Sequence, residues 1–317
     1  MNQKLFLSCL CASVLLSPLF ADENLLGFTK SAEPLPTGAI DFVQHFEHHG
    51  DKGSGSYKAL YSKTELEYGV TDKFTIAGYI LGQSVKTEGI IVDGYIPGDH
   101  SGGFEFSGFE VSGKYNYLSA AGDDFGLSNY FSYRHLSKDP HSGQDKTVDT
   151  FELKLLAQKY FLDGQLIWLG NLGLETTRAQ RKALPTSQWN HLNSKGFYET
   201  ETEATANSGA VYDWPTHPEM EIGIMASTGI SYRFMDNWFI GAEYVYENES
   251  ETEVGIERYS HYAGPSLHYG SQKWWMTLSY LRELSGGGEA YDEQDDANLH
   301  LIERTKDKYY FKVGFNF

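Results

Sequence analysis

The 317-residue chain is 40% apolar and 15% aromatic, with 33 Gly, 22 Tyr, 2 Cys and 43 acidic against 25 basic side chains, a net charge of -18. A mean hydropathy of -0.43 excludes a bundle of membrane-spanning helices, which would need several apolar runs of about 20 residues. Scattered Lys and Arg at a pI near 5.0 exclude nucleic acid as a partner, because a polyanion is bound by a concentrated basic surface.

Met1 to Lys4 is a short basic start, Leu5 to Leu16 is almost wholly apolar, and Ser17-Pro18-Leu19-Phe20-Ala21 leads into acidic residues. The pattern predicts a signal peptide over residues 1–21, its run of about 12 apolar residues being too short to span a bilayer. Cys9 and Cys11 both fall inside it, and Leu10 is too large for the position before a lipid-modified cysteine. The exported chain is therefore expected to lack disulfides, thiol nucleophiles and cysteine metal sites. Residues 22–38, with Pro34 and Pro36, do not read as a strand and are expected either in the periplasm or inside the lumen as a plug.

From residue 39 onward apolar and polar side chains alternate with period two, and no window carries a helical stripe. Leu66, Tyr68 and Val70 share one strand face, Lys63, Glu65 and Glu67 the other, and Thr71-Asp72-Lys73 predicts a hairpin into Phe74 to Ile80. Phe109, Val111, Tyr115 and Tyr117 alternate with Glu110, Ser112, Lys114 and Asn116, turn at 119–124 and return through Phe125, Leu127, Phe131 and Tyr133. Phe151, Leu153, Leu155 and Ala157 alternate with Glu152, Lys154 and Gln158, then turn at Leu162-Asp163-Gly164 into Leu166 and Trp168. Ile224, Ile230, Tyr232 and Phe234 turn at 235–237 into Trp238, Ile240, Ala242 and Tyr244. Leu267 and Tyr269 turn at 271–273 into Trp274, Met276, Leu278 and Tyr280.

These runs predict about twelve strands, joined alternately by short turns and by longer polar connections near 49–56, 85–103, 137–146, 179–219, 248–254 and 284–298. That layout predicts an all-β fold: a transmembrane antiparallel up-and-down β-barrel over residues 39–317, with short periplasmic turns, long extracellular loops and a bacterial outer-membrane location. Hydrocarbon offers no hydrogen-bond partner, so the sheet must close on itself and turn its apolar face outward. Phe74, Phe125, Phe234, Trp238 and Trp274, beside the short turns, are expected to form an interfacial girdle. A secreted β-sandwich would also alternate, yet would need neither the alternating connections nor the terminal aromatic strand.

That strand is the most specific feature. Tyr309, Phe311, Val313, Phe315 and Phe317 share one face and the chain ends on Phe. It resembles the C-terminal signature of Gram-negative outer-membrane proteins, which implies recognition by the barrel-assembly machinery. Residues 23–38 together with Leu66-Glu67-Tyr68-Gly69-Val70-Thr71-Asp72-Lys73-Phe74 resemble an uncharacterised family of such barrels, porin-like or channel-like in architecture. The resemblance implies the fold and no assigned activity.

The opposite parity places Lys63, Lys114, Arg134, Lys154, Arg233 and Lys312 inward with Glu65, Glu67, Glu110, Glu152, Glu175 and Glu243, as candidate pore-lining residues. About twelve strands lie between filled eight-stranded barrels and open sixteen-stranded porins. Charges paired across strands would brace a closed interior, whereas segregated ones would set a transverse field in a narrow pore. The acidic surplus collects at Glu199, Glu201 and Glu203, at Glu249, Glu251 and Glu253, and at Glu289, Asp292, Glu293, Asp295 and Asp296, where solvated loops are expected. Such carboxylates could also bind cations bridging lipopolysaccharide. His45, His48 and His49, with His100 and His141 on the same rim, could supply nitrogen ligands but share no spacing, and no metal or cofactor is expected. His135-Leu136-Ser137 resembles the histidine-x-serine pair of the outer-membrane phospholipase, with Lys138-Asp139 where that family has asparagine-glycine and with no evident partner on the next strand. The expected function is a passive channel or transporter for small polar or amphipathic solutes, not an enzyme, monomeric or weakly oligomeric. Its expected partners are outer-membrane lipid, lipopolysaccharide and the assembly machinery. The alternatives are a non-conducting barrel whose acidic loops bind cations, lipopolysaccharide or another cell, and, more remotely, a lipid hydrolase.

Overall fold

The computed structural model describes residues 24–251 and 255–317; the leader expected at 1–21 and Glu253 lie outside the described residues. Twelve long strands form the wall: β1 (Ile40–Gly50), β2 (Ser56–Thr71), β3 (Phe74–Glu88), β5 (Glu105–Leu118), β6 (Gly126–Lys138), β7 (Asp145–Phe161), β8 (Leu166–Arg181), β11 (Glu219–Met235), β12 (Trp238–Glu251), β13 (Gly255–Gly270), β14 (Trp274–Gly287) and β15 (Asp307–Asn316). Each pairs antiparallel with its sequence neighbours, and β1 pairs with β15, so the sheet closes as the period-two reading requires. A two-residue strand, β4 (His100–Ser101), adds to β3, and β9 (Phe197–Tyr198) and β10 (Ala210–Val211) pair within the longest loop.

Burial is inverted relative to a water-soluble protein. Leu66 is 57% exposed while its neighbour Glu65 is 3% exposed, and the same contrast separates Phe109 from Glu110 and Leu278 from Thr277. An apolar outer belt on this scale belongs in hydrocarbon rather than water. At the short-turn end Trp238 packs tilted against Tyr269 and Tyr269 against Trp274, with ring centroids 5.0 and 4.8 Å apart. The turns are tight because residues there accept positive φ: Leu162 and Asp163 at 53° each before Gly164, and Asn237 at 65°.

Three expectations about the long-loop end need correction. The 182–218 connection contains two helices, α1 (Thr186–Ser194) and α2 (Glu201–Asn207), each too short to leave a periodic stripe in the sequence. The Thr200 side chain caps α2 by accepting from the Glu203 amide, so Glu201 and Glu203 lie in its first turn rather than in coil. The last long loop does not end near 298 but runs to 306, because Leu299, Leu301 and Ile302 fold back into the barrel mouth and are buried there. Glu249 is not in a solvated loop: β12 continues past it and turns it inward, 8% exposed, where Arg258 pairs with it at 3.2 Å.

The closing seam bears on assembly. Phe317 donates its amide to the Ile40 carbonyl at 2.9 Å, Ile40 returns a bond at 3.3 Å, and Phe311 stacks on Phe46. Removing Phe317 is expected to cut the amount of folded, heat-modifiable protein recovered from outer membranes severalfold. Parental yield and gel migration in that variant would count against a role for the terminal aromatic.

Candidate functional site

Residues 24–35 lie inside the barrel at its short-turn end, with 36–38 exposed at the rim, and are held by bonds from inward side chains to their main chain. Glu243 accepts amide hydrogens from Gly27, Phe28 and Thr29 at 2.9, 3.0 and 3.0 Å. Asn171 pairs with both the N–H and the C=O of Lys30, each at 2.8 Å. Gln158 accepts from Ala32, Asn116 and Ser128 donate to the Ala32 carbonyl, and Thr75 accepts from Leu35. Lys312 donates to the Leu26 carbonyl at 3.2 Å. The segment thus touches β3, β5, β6, β7, β8, β12 and β15 in turn, sweeping round most of the inner wall.

Its side chains are seated as specifically as its backbone. Leu25 and Leu26 pack with Ile167 and Leu169, Phe28 meets Tyr310 edge to face, and Ala32 is buried with Tyr130 and Leu156. The wall is cut away to receive them: a Cβ on Gly229 would stand 2.3 Å from Leu26, and one on Gly69 2.0 Å from the Pro36 carbonyl oxygen. Side chains at those glycines would exclude the segment sterically.

Above the segment the lumen keeps two cavities of about 350 and 320 Å³, which share Glu47, His49, Lys63, Glu110, Arg134 and Glu175 in their linings. The charges are paired rather than segregated. Lys63 reaches Glu110 at 2.9 Å across β3, Arg134 reaches Glu175 at 3.6 Å across β7, and Lys154 meets Glu152 at 2.6 Å on its own strand. Lys308 holds Glu247 at 2.9 Å and stands over the Tyr262 ring. Low-dielectric walls strengthen such pairs, so they brace the lumen while leaving room between them.

The other mouth is covered by loops. Tyr57 and Tyr61 donate to the Pro140 carbonyl, and the fully buried Lys52 donates to the carbonyls of Leu301, Ile302 and Arg304. Tyr95 reaches in from the 89–104 loop. Arg258 donates to its hydroxyl at 2.9 Å, and the Arg181 guanidinium lies 5.2 Å from its ring centre. Arg258 also pairs with Glu249 at 3.2 Å and with Glu303 at 3.1 Å. With Glu221 these carboxylates form the one group among the described residues that brings three potential metal ligands together, within 4.8 Å, and Arg258 already offsets part of its charge.

Two histidines in these covering loops carry a pH dependence. Burial pushes His141 and His300 down to about 3, against the opposing pull of Asp139 on the first and Glu303 on the second. The closed loops therefore favour neutral rings. Their contribution is complete above the ordinary value of 6.5 and is lost as pH falls from there toward 3, because the opened loops take up protons first. Amide exchange over 139–144 and 288–306, corrected for intrinsic rates, is expected to accelerate between neutral pH and about pH 5. Exchange that stays flat over that interval would contradict the assignment.

Of the residues singled out by parity, Lys63, Glu110, Arg134, Glu175, Glu152 and Lys154 form the pairs just described, and Glu243 and Lys312 hold the amino-terminal segment. Glu65 binds His45; Glu67 and Lys114 line a small space beside Lys30. Arg233 lies at the short-turn rim, where its main chain pairs with Gln165. Period two missed Glu47, Glu221, Glu247, Glu303 and Arg258, although the parity of β1 and β12 would have yielded the first and third. It also splits the histidines: His45 and His49 face inward toward Glu65 and Glu47, whereas His48 faces out against Tyr309. His135 does have a partner on the next strand. Asp149, its register mate, bonds its Nδ1 at 2.8 Å and also accepts from Tyr133, and the register could not be known before the 139–144 loop was placed. Ser137, however, donates to the Ser107 carbonyl at 3.2 Å.

The fold is similar to the COG4313 outer membrane channel from Pseudomonas putida F1 (TM-score 0.53, 13% identity, 90% of this chain and 98% of that one covered). It is also similar to the β domain of the Bordetella autotransporter Brka (TM-score 0.51, 10% identity, 88% and 100% covered). At such identities the likeness speaks for the outer-membrane barrel fold alone. No curated protein matches the sequence. Residues 18–317 match a family of unknown function, DUF6662, and the chain belongs to that family.

Proposed function

We infer that this protein is an outer-membrane passage for small polar or amphipathic solutes, closed at rest by its own amino-terminal segment. The observation that carries this reading is the way the segment is held. It contributes no strand to the wall, and up to Leu35 the wall bonds its main chain through side chains, the main-chain bond from Gly38 to the Gly69 carbonyl lying at the base of the segment, so the segment can leave without breaking the barrel. What it would uncover is a lumen with two cavities already present, both lined by charged side chains. The paired charges suit solutes that exchange hydration for hydrogen bonds with Lys, Arg, Glu and Tyr groups, with neither sign of ion strongly excluded.

Planar-bilayer recording tests it. The full chain is expected to show small or rare openings, and the barrel lacking residues 24–38 a conductance at least about fivefold greater, since its loss clears the short-turn end below the two charged cavities and leaves only the loops across the other mouth. No current above background from either protein would overturn the passage and leave a non-conducting barrel whose loops bind ligands. Lipid hydrolysis has the His135–Asp149 pair in its favour, but the Ser137 hydroxyl is turned to a backbone carbonyl. Phospholipid turnover by purified protein that disappears in Ser137→Ala would establish that reading instead.

A further inference from the structure

Between the long loops, outside the lumen, lies a cleft of about 590 Å³. One wall comes from residues 89–99, a second from α1 and the stretch to Phe197 with Tyr212, and the third from residues 289–293. Its floor is apolar: Ile90, Val92 and Ile302 line it and are themselves buried in one cluster with Tyr57 and Val85. Its rim is acidic, with Asp93, Asp99, Glu289, Asp292 and Glu293 against Lys195 and His191. Asp99 is engaged by His191 at 4.0 Å, whereas Glu289, Asp292 and Glu293 form no ion pair among the described residues.

The cleft is also preformed. Tyr212 donates its hydroxyl to the Val92 carbonyl at 3.0 Å, the Asp213 amide donates to Asp93 at 2.7 Å, and Gln188 donates to the Pro97 carbonyl at 2.7 Å. Little ordering would accompany binding.

We propose that this cleft binds a small organic cation, a protonated amine carried on an apolar body. Each component has its counterpart on the page. The apolar floor takes the hydrocarbon part, the rim carboxylates take the ammonium, and Phe197 and Tyr291 present aromatic rings in the lining. Tyr95 in the same lining is already engaged by the guanidinium groups of Arg181 and Arg258, 5.2 and 5.8 Å from its ring centre, which leaves the ammonium to the rim carboxylates. Partial desolvation raises the Asp93 carboxyl above its usual range, against the hydrogen bond from the Asp213 amide, and a cation there would oppose that rise. An anion of the same shape meets the rim's like charge. A hydrated divalent ion gains nothing from the apolar floor and needs oxygens on several sides. Binding at this cleft requires no conduction, so it stands or falls apart from the passage reading.

The test is saturable binding to the full chain in lipid nanodiscs, followed by saturation-transfer NMR, with three probes: phenethylammonium, its isosteric anion 3-phenylpropionate, and methylammonium. Phenethylammonium is expected to bind at least about tenfold tighter than either of the others, which lack the charge or the apolar body. The double variant Asp93→Asn, Glu293→Gln changes two exposed loop residues and should weaken it at least about fivefold while gel migration stays heat-modifiable. Equal binding of the anion, unchanged affinity in the folded double variant, or no saturable signal would each overturn the site. Binding without conductance would retain the site and remove the passage.

Discussion

Glu243→Ala is expected to open the barrel. One carboxylate accepts three successive amides of the amino-terminal segment and is also reached by the Thr29 hydroxyl at 3.3 Å. Hydrogen bonds to a buried charge contribute about 1.5–3 kcal/mol each, and losing even one or two shifts a closed–open equilibrium at least about tenfold toward open. Glu243→Gln keeps an acceptor oxygen but no charge and should fall between the two. The change is read as single-channel open probability and, independently, as protease access to residues 24–38 from the short-turn side. Retention of the parental values in both would mean that packing of Leu25, Leu26 and Phe28 holds the segment by itself.

Arg258→Met should be the most destabilising single substitution. It leaves Glu249 and Glu303 buried next to Glu221 with no cation within 4.0 Å among the described residues. Breaking a buried pair by removing one partner costs about 3–5 kcal/mol, because the surviving charge stays desolvated. Folding from urea into lipid vesicles should show that loss, and adding Glu249→Gln should recover a good part of it. A variant as stable as the parent would mean that the carboxylates are protonated or hydrated at no cost.

Period two was enough to place the wall, because a barrel in hydrocarbon leaves so little choice. Leu66 and Glu65 can only face opposite ways, and the alternation of connection lengths told one rim from the other. Partners were a different matter. Lys63 and Glu110 both read as inward, yet their meeting depends on the register of two hairpins and on the width of β3 between them. Glu243 was visible as an inward acid, but its partners lie about 215 positions away in a stretch with no period at all. Leu299 and Ile302 were invisible for a further reason: they are apolar like strand residues, but they fill the mouth as loop, and only the three carbonyls gathered by Lys52 reveal it. His135 and Asp149 had the right types and lacked only a register.

Gly38 sits at the rim with φ 83° and nothing near its absent side chain, between the first wall strand and the segment folded into the lumen. The segment is thus a ligand on a leash. Closure is a first-order event whose effective concentration, in the millimolar range for short linkers, is fixed by that leash and not by the number of barrels in the membrane. A free peptide of the same sequence would need to be supplied near that concentration to compete. On the passage reading the barrel therefore recloses on its own after any displacement, and whatever holds it open must act continuously.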